Sequence, residues 1–198
     1  MPRLVDHEQR RREITTAARR VIAHGGLDAA TFQTVAAEAG MSVRLIQYYF
    51  GTKREFLVAT FLAVVAEAGQ RFEGPLAAMG ANPTPREVIR TILTAVLPLD
   101  PQRHEDALVL AAFHAAALTG GVVGPEDTIG PARYLFPIFA QQLRIHRSLE
   151  SSTPAEELDA QLLVLGGSGI TQVVLTGNNT PDQALELLDR LLDRFLSV

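Results

Sequence analysis

Residues Thr31 to Lys53, TFQTVAAEAGMSVRLIQYYFGTK, leave this chain few folds to choose from. Thr31 is a hydroxyl residue suited to accept a hydrogen bond from a free N–H in a helix's first turn. Val35, Ala36 and Ala39 recur as one narrow apolar stripe, not as strand alternation. Gly40 stands where a left-handed residue ends a helix, because glycine reaches positive φ without steric cost. Ser42 follows and is suited to cap a second helix. One helix ends and another begins within about three residues, the spacing of a helix-turn-helix.

The second helix divides by face. Leu45, Ile46, Tyr49 and Phe50 share one side of a 3.6-residue period, while Val43, Arg44, Gln47 and Tyr48 share the other. An ordinary surface helix with one packed tyrosine shows the same periodicity. The outer face nevertheless holds a guanidinium, an amide and a phenol. Arg and Gln hydrogen-bond base edges or phosphates, and a tyrosine O–H reaches a phosphate.

The full string GMSVRLIQYYFGTK resembles the G-V-S-x-x-x-I/L-x-x-Y-F-x-x-K signature of the tetracycline-repressor-like (TetR) regulators, over roughly residues 8–60. Its Y-F-G-x-K ending is similar to that of the choline-responsive branch. Two groove-facing positions depart from the common pattern: Arg44, where a small residue is frequent, and Gln47, where tyrosine is. Those departures bear on which operator is read. The resemblance implies DNA contacts from Ser42, Val43, Arg44, Gln47, Tyr48 and Tyr49, with Gln33 and Thr34 from the preceding helix. It also implies a phosphate contact from Lys53, a cation that a helix N-terminus by itself disfavours.

Charge supports confinement of DNA binding to one end. The whole chain carries a net −4, yet residues 1–55 hold nine basic against six acidic side chains, and the remainder nine against sixteen. A basic head on an acidic body attracts phosphate at one end only. Arginine outnumbers lysine seventeen to one, so Lys53 is the only lysine. Arg10, Arg11 and Arg12 form either a solvated charged turn or a further contact to the DNA backbone or minor groove.

No cysteine is present, which excludes disulfides, thiolate zinc sites and cysteine nucleophiles. No apolar run reaches the ~18 residues of a membrane span, and the charged N-terminus lacks a signal-peptide core. A cytoplasmic protein without membrane contact is expected. The histidines, His7, His24, His104, His114 and His146, show no metal spacing, and His114 on an apolar helix reads as a core residue. Glu105-Asp106 and Glu156-Glu157 sit near helix starts, where they serve the dipole. No nucleophile elbow, phosphate loop or dinucleotide fingerprint occurs. Neither an enzyme nor a cofactor is expected.

The remaining pattern is helical throughout. After a disordered lead-in over residues 1–7, helices are predicted over about 8–23, 53–72, 84–97, 102–119, 132–149, 154–176 and 180–195, besides the two of the helix-turn-helix. Gly74-Pro75 should stop one, and Pro137 should kink another. The expectation is an all-α chain of about nine helices. A three-helix DNA-binding head spans 1–52, and a larger helical bundle for ligand binding and dimerisation spans 53–198.

Leu185, Leu188, Leu192 and Phe195 form a C-terminal seam. Gly166, Gly167 and Gly169 interrupt the preceding helix, where each costs about 1 kcal/mol against alanine. Packing within the chain explains this, as does close approach of a second copy. The resemblance favours a homodimer joined through the final two helices, with Leu162, Gly166, Gly169, Val173, Leu185, Leu188, Leu192 and Phe195 at the interface. It also implies an inducer pocket for an unknown small molecule, with Phe61, Phe113, His114, Tyr134, Phe136 and Phe139 as candidate lining. The expected function is a ligand-responsive repressor of a palindromic double-stranded operator. A helical dimer that binds a protein partner through the Arg44–Tyr48 face is the alternative.

Overall fold

A computed structural model describes the backbone of residues 2–151 and 153–197, with side chains from His7 onward. Among these residues there are ten helices and no strand. They are α1 (Pro2–Ala29), α2 (Phe32–Ala39), α3 (Val43–Phe50), α4 (Lys53–Ala78), α5 (Pro85–Val96), α6 (Pro101–Thr119), α7 (Pro125–Thr128), α8 (Gly130–His146), α9 (Pro154–Leu175) and α10 (Pro181–Leu196). The all-α expectation holds. Residues 2–7 belong to α1 rather than to a disordered lead-in, while Met1 lies outside the described residues. Gly26, at φ 75°, breaks the helical backbone near the expected end of α1. The short α7 is the element that periodicity missed.

The chain forms two compact units. The first comprises the chain through Ala66 with Leu108–Thr128, and the second Glu67–Ala107 with the chain from Ile129. Compactness thus divides the chain elsewhere than at residue 52, and α4 and α6 each contribute to both units. Gly74-Pro75 does not stop α4, which runs on to Ala78. Pro75 gives up the bond to the Arg71 carbonyl and its ring crowds that oxygen, yet the helix continues through it for three more residues.

The first unit is organised around Ile14, Ala18 and Ile22 of α1, Val35 of α2, Ile46 and Phe50 of α3, and Phe56, Leu57 and Phe61 of α4. Val109 and Phe113 of α6, and Val123 beyond it, complete this core. Arg54 fastens the segment further, its Nη2 lying 2.7 Å from Asp127 Oδ1.

In the second unit α5, α8, α9 and α10 share a core of Ile89, Ile92, Leu93, Phe139, Leu143, Leu163, Leu188 and Leu192. Here the seam expected on α10 is corrected. Leu188 and Leu192 are 0% exposed, and Leu185 and Phe195 pack against the same core. A strong apolar stripe on a terminal helix turns toward the nearest core available, which is its own. The glycines are corrected likewise. A Cβ on Gly166 would meet Leu191 Cδ2 at 2.5 Å, and one on Gly167 would meet Leu93 Cδ2 at 2.9 Å. Those two glycines admit α10 and α5 of the same chain, whereas Gly169 faces open space.

The two acidic pairs also do more than serve dipoles. Glu156 is buried, accepts from the Thr153 hydroxyl at 2.5 Å and pairs with Arg147. Asp106 is buried and pairs with Arg71. Across α5 and α10, Arg90 reaches Asp189 through two hydrogen bonds, Nε at 2.8 Å and Nη2 at 3.1 Å.

Leu188→Ala should lower unfolding free energy by about 2–5 kcal/mol, read by urea denaturation, because it opens a cavity in a closed core. The Thr153 hydroxyl first, then the Arg147 guanidinium, hold the Glu156 carboxyl down at about 2 from the ordinary 4.5. The resulting stability is complete above pH 4.5 and is lost as pH falls through about 2. Glu156→Gln should flatten the acid limb of a stability–pH profile, and an unchanged limb would refute this role.

Candidate DNA-binding head

Local chemistry builds the turn. Thr31 Oγ1 accepts from Thr34 N–H at 3.1 Å, and Thr34 Oγ1 accepts from Thr31 N–H at 3.0 Å, so the two threonines form a reciprocal cap on α2. Gly40 ends α2 at φ 64°, and the Met41 N–H donates back to Ala36 O at 2.9 Å. That bond closes a Schellman turn, which needs the left-handed residue. Ser42 Oγ then accepts from Leu45 N–H at 3.2 Å and opens α3.

Packing aims α3. Ile46 and Phe50 are buried in the first unit's core, and Phe50 meets Phe56 edge-on with ring centroids 5.5 Å apart. With those two side chains fixed, the opposite face must point outward. Arg44, Gln47 and Tyr48 are exposed, Tyr48 by 76%. Among the described residues, neither Arg44 nor Gln47 has a hydrogen-bond or ion-pair partner, and neither does exposed Gln33. The Ser42 hydroxyl, having only accepted, keeps its proton available for a phosphate oxygen. Val43 is half-buried beside these groups.

Other candidate residues prove to be engaged within the head. Thr34 donates its single hydroxyl proton to Ala29 O at 2.6 Å, which leaves it nothing to give a phosphate. Tyr49 is half-buried, its ring 4.6 Å from that of His7 and 5.4 Å from that of Tyr48. Of the arginine cluster, Arg10 pairs with Glu13 at 2.8 Å and Arg12 donates to Gln9 Oε1 at 3.0 Å. Arg11 donates to the Tyr49 carbonyl at 2.5 Å and lies 4.3 Å above the Phe50 ring. It therefore ties α1 to the last turn of α3, where a cation also suits the helix dipole. Sequence alone leaves Arg11 as a solvated or DNA-contacting side chain. One turn of α1 places three arginines alike, and only tertiary packing distinguishes the middle one.

Lys53 occupies the first turn of α4, half-buried and without an ion-pair partner among the described residues. Glu55 is turned away toward Thr52, whose N–H and hydroxyl each donate to Glu55 Oε2 at 2.9 Å. The Thr52 backbone bond, then its hydroxyl, hold the Glu55 carboxyl below the usual range.

The six candidate pocket residues are divided between the units. Phe61, Phe113 and His114 meet in the first, with ring centroids 5.2 Å apart for Phe61–Phe113 and 6.5 Å for Phe61–His114. Tyr134, Phe136 and Phe139 belong to the second: Tyr134 is exposed and Phe139 lies in the core. His114 is not a core residue. Its outer side is open to water, while burial of its inner side lowers its pKa.

Of the proposed interface residues, Leu188 and Leu192 are closed off, but α9 presents Leu158, Leu162 and Leu165 at 60%, 50% and 63% exposure. Gly166, Gly169 and Val173 line an adjoining groove beside Leu187 and Leu191.

A rigidly capped turn, a helix seated by two side chains and an unpartnered polar outer face define a helix-turn-helix head of the DNA-binding regulators. The family of bacterial regulatory proteins called tetR matches residues 14–60. The HTH-type transcriptional regulator BetI of Rhizobium meliloti (strain 1021) is 30% identical over 172 residues, covering 86% of this chain and 78% of that protein. A transcriptional regulator from Rhodococcus sp. Rha1 has the same fold, with TM-score 0.80 at 24% identity over 94% of this chain and 95% of that one. So has a putative transcriptional regulator from Saccharomonospora viridis in complex with choline, with TM-score 0.79 at 21% identity over 94% and 96%. The chain belongs to the TetR family of bacterial transcriptional regulators.

Replacing Arg11 by methionine should cost about 1.5–3 kcal/mol, the range for a hydrogen bond from a charged group. Amides of α3 should exchange hydrogen faster than those of α2. Equal protection of α3 in both proteins would show that Arg11 does not hold it.

Proposed function

We propose that this protein is a homodimeric repressor that binds a palindromic operator through α3 and leaves it when a small molecule binds. The carrying observation is the outward face of α3, where Arg44, Gln47 and Tyr48 stand exposed on a helix fixed from behind by Ile46 and Phe50. Arg44 and Gln47 read base edges in the major groove. Ser42, Tyr48, Lys53 and Gln33 engage phosphates, with Val43 and Tyr49 in apolar support. DNA reading resides in residues 1–52, with Lys53 adding a phosphate contact from the start of the ligand-binding and dimerisation part, 53–198. The protein acts in the cytoplasm and has no catalytic role.

The α9 leucines support dimerisation. A stripe of Leu158, Leu162 and Leu165 beside Gly169 and Leu187 is larger than scattered surface apolarity and favours a second copy. The length and hydropathy of α9 would also suit a membrane crossing, and the same exposed stripe explains them. Two-fold pairing sets the recognition helices about one DNA turn, ~34–36 Å, or somewhat more apart. Ligand acts by favouring a conformation whose spacing no longer matches successive major grooves. Choline in the Saccharomonospora viridis protein, and the aromatic trio Phe61, Phe113 and His114 here, support a small cationic or apolar inducer.

Operator DNA selected from random sequence, with a scrambled control, tests the role of each residue by band shift. Arg44→Ala should relax discrimination by about 1–3 kcal/mol, whereas Lys53→Ala should weaken binding to every sequence and reduce the salt slope by about one. Identical behaviour of the two variants would sink the division of roles. Salt-insensitive binding of a protein partner by the same face would favour an interaction module instead. Leu162→Arg should yield a monomer by light scattering with its helical content intact.

A further inference from the structure

The first unit contains a cavity of about 420 Å³ bounded by the end of α1, the first turns of α4 and the C-terminal half of α6. Leu57 lines it from α4, and Ala112, Ala115 and Ala116 from α6. The space follows from the sequence of α6: methyl groups stand where longer side chains would close the gap. Its volume lies within the roughly 300–1,000 Å³ of small-molecule sites.

Two charged residues join this apolar lining, Asp28 and Lys53. Asp28 is exposed, so water and salt screen it. Lys53 is half-buried and has no ion-pair partner among the described residues. An ammonium partly withdrawn from water and left unmatched favours an anion, and the apolar wall favours a hydrocarbon tail attached to it.

We infer that this cavity is a ligand site for a small amphipathic carboxylate, whose head pairs with Lys53 and whose tail lies along Leu57 and the α6 alanines. The inference is separate from the aromatic trio and rests on the proposed phosphate contact of Lys53 for its consequence. One ammonium cannot serve a DNA phosphate and a carboxylate in the cavity at once, so ligand and operator compete.

Lys53 is the only lysine of the chain, so acetylation of its amine, read by peptide mass spectrometry, reports occupancy at one residue. The probes are octanoate, octanol and octyltrimethylammonium, applied to the full-length protein below their micellar concentrations. Octanoate should slow Lys53 acetylation at least tenfold and weaken operator binding by a similar factor, while the neutral and cationic probes should do neither. Ala115→Leu fills the cavity and should abolish protection by octanoate without changing operator affinity in its absence. The ligand site is overturned if octanoate gives no protection, if octanol protects equally, or if folded Ala115→Leu is still protected. Protection without weakened operator binding would overturn the competition. A protein that binds no DNA at all would refute the regulator reading, and the acetylation arms would still decide the cavity.

Discussion

Everything this chain does with its outer polar face depends on two side chains pointing the other way. Ile46 and Phe50 enter a core shared by α1, α2, α4 and α6, and this burial sets the rotation of a helix only eight residues long. So short a helix has little stability of its own in water. It exists because its ends are capped and its inner face is covered. The Gly40 turn and Ser42 fix the entry, and Arg11 holds the exit by bonding the Tyr49 carbonyl and stacking on Phe50. Arg44, Gln47 and Tyr48 are presented to solvent as a consequence.

The second unit meets the opposite constraint, an excess of apolar surface. Its α10 spends the strongest leucine stripe on its own core, sealed across α5 by the Arg90–Asp189 pair. Gly166 and Gly167 let α10 and α5 approach α9 closely. What remains uncovered is the outer side of α9, where Leu158, Leu162 and Leu165 are more than half or half exposed. A core that claims one leucine face leaves another on the surface.

The head was legible in the sequence to a considerable depth. Thr31, Gly40 and Ser42 carry out the capping and turning that their chemistry implies, and the α3 faces follow the 3.6-residue period. The misreadings share a cause. Thr34 and Arg11 bear groups suited to phosphate, yet both are consumed by neighbours within the head. The C-terminal seam had the right periodicity and the wrong partner. The candidate pocket residues belong to different units. A side chain's chemistry states what it can bind, and only position states whether that capacity is already used.

The sequence by itself determined the all-helical chain, the helix-turn-helix and the polar outer face of α3, because caps, glycine turns and helical periodicity are local physics. Tertiary structure alone decided that Leu108–Thr128 joins the head unit, that Leu188 and Leu192 are core and the α9 leucines are surface, and that the α6 alanines border a cavity at Lys53. Those outcomes depend on which distant segments compete for the same apolar area and the same charge. Spacing along a chain does not record that competition.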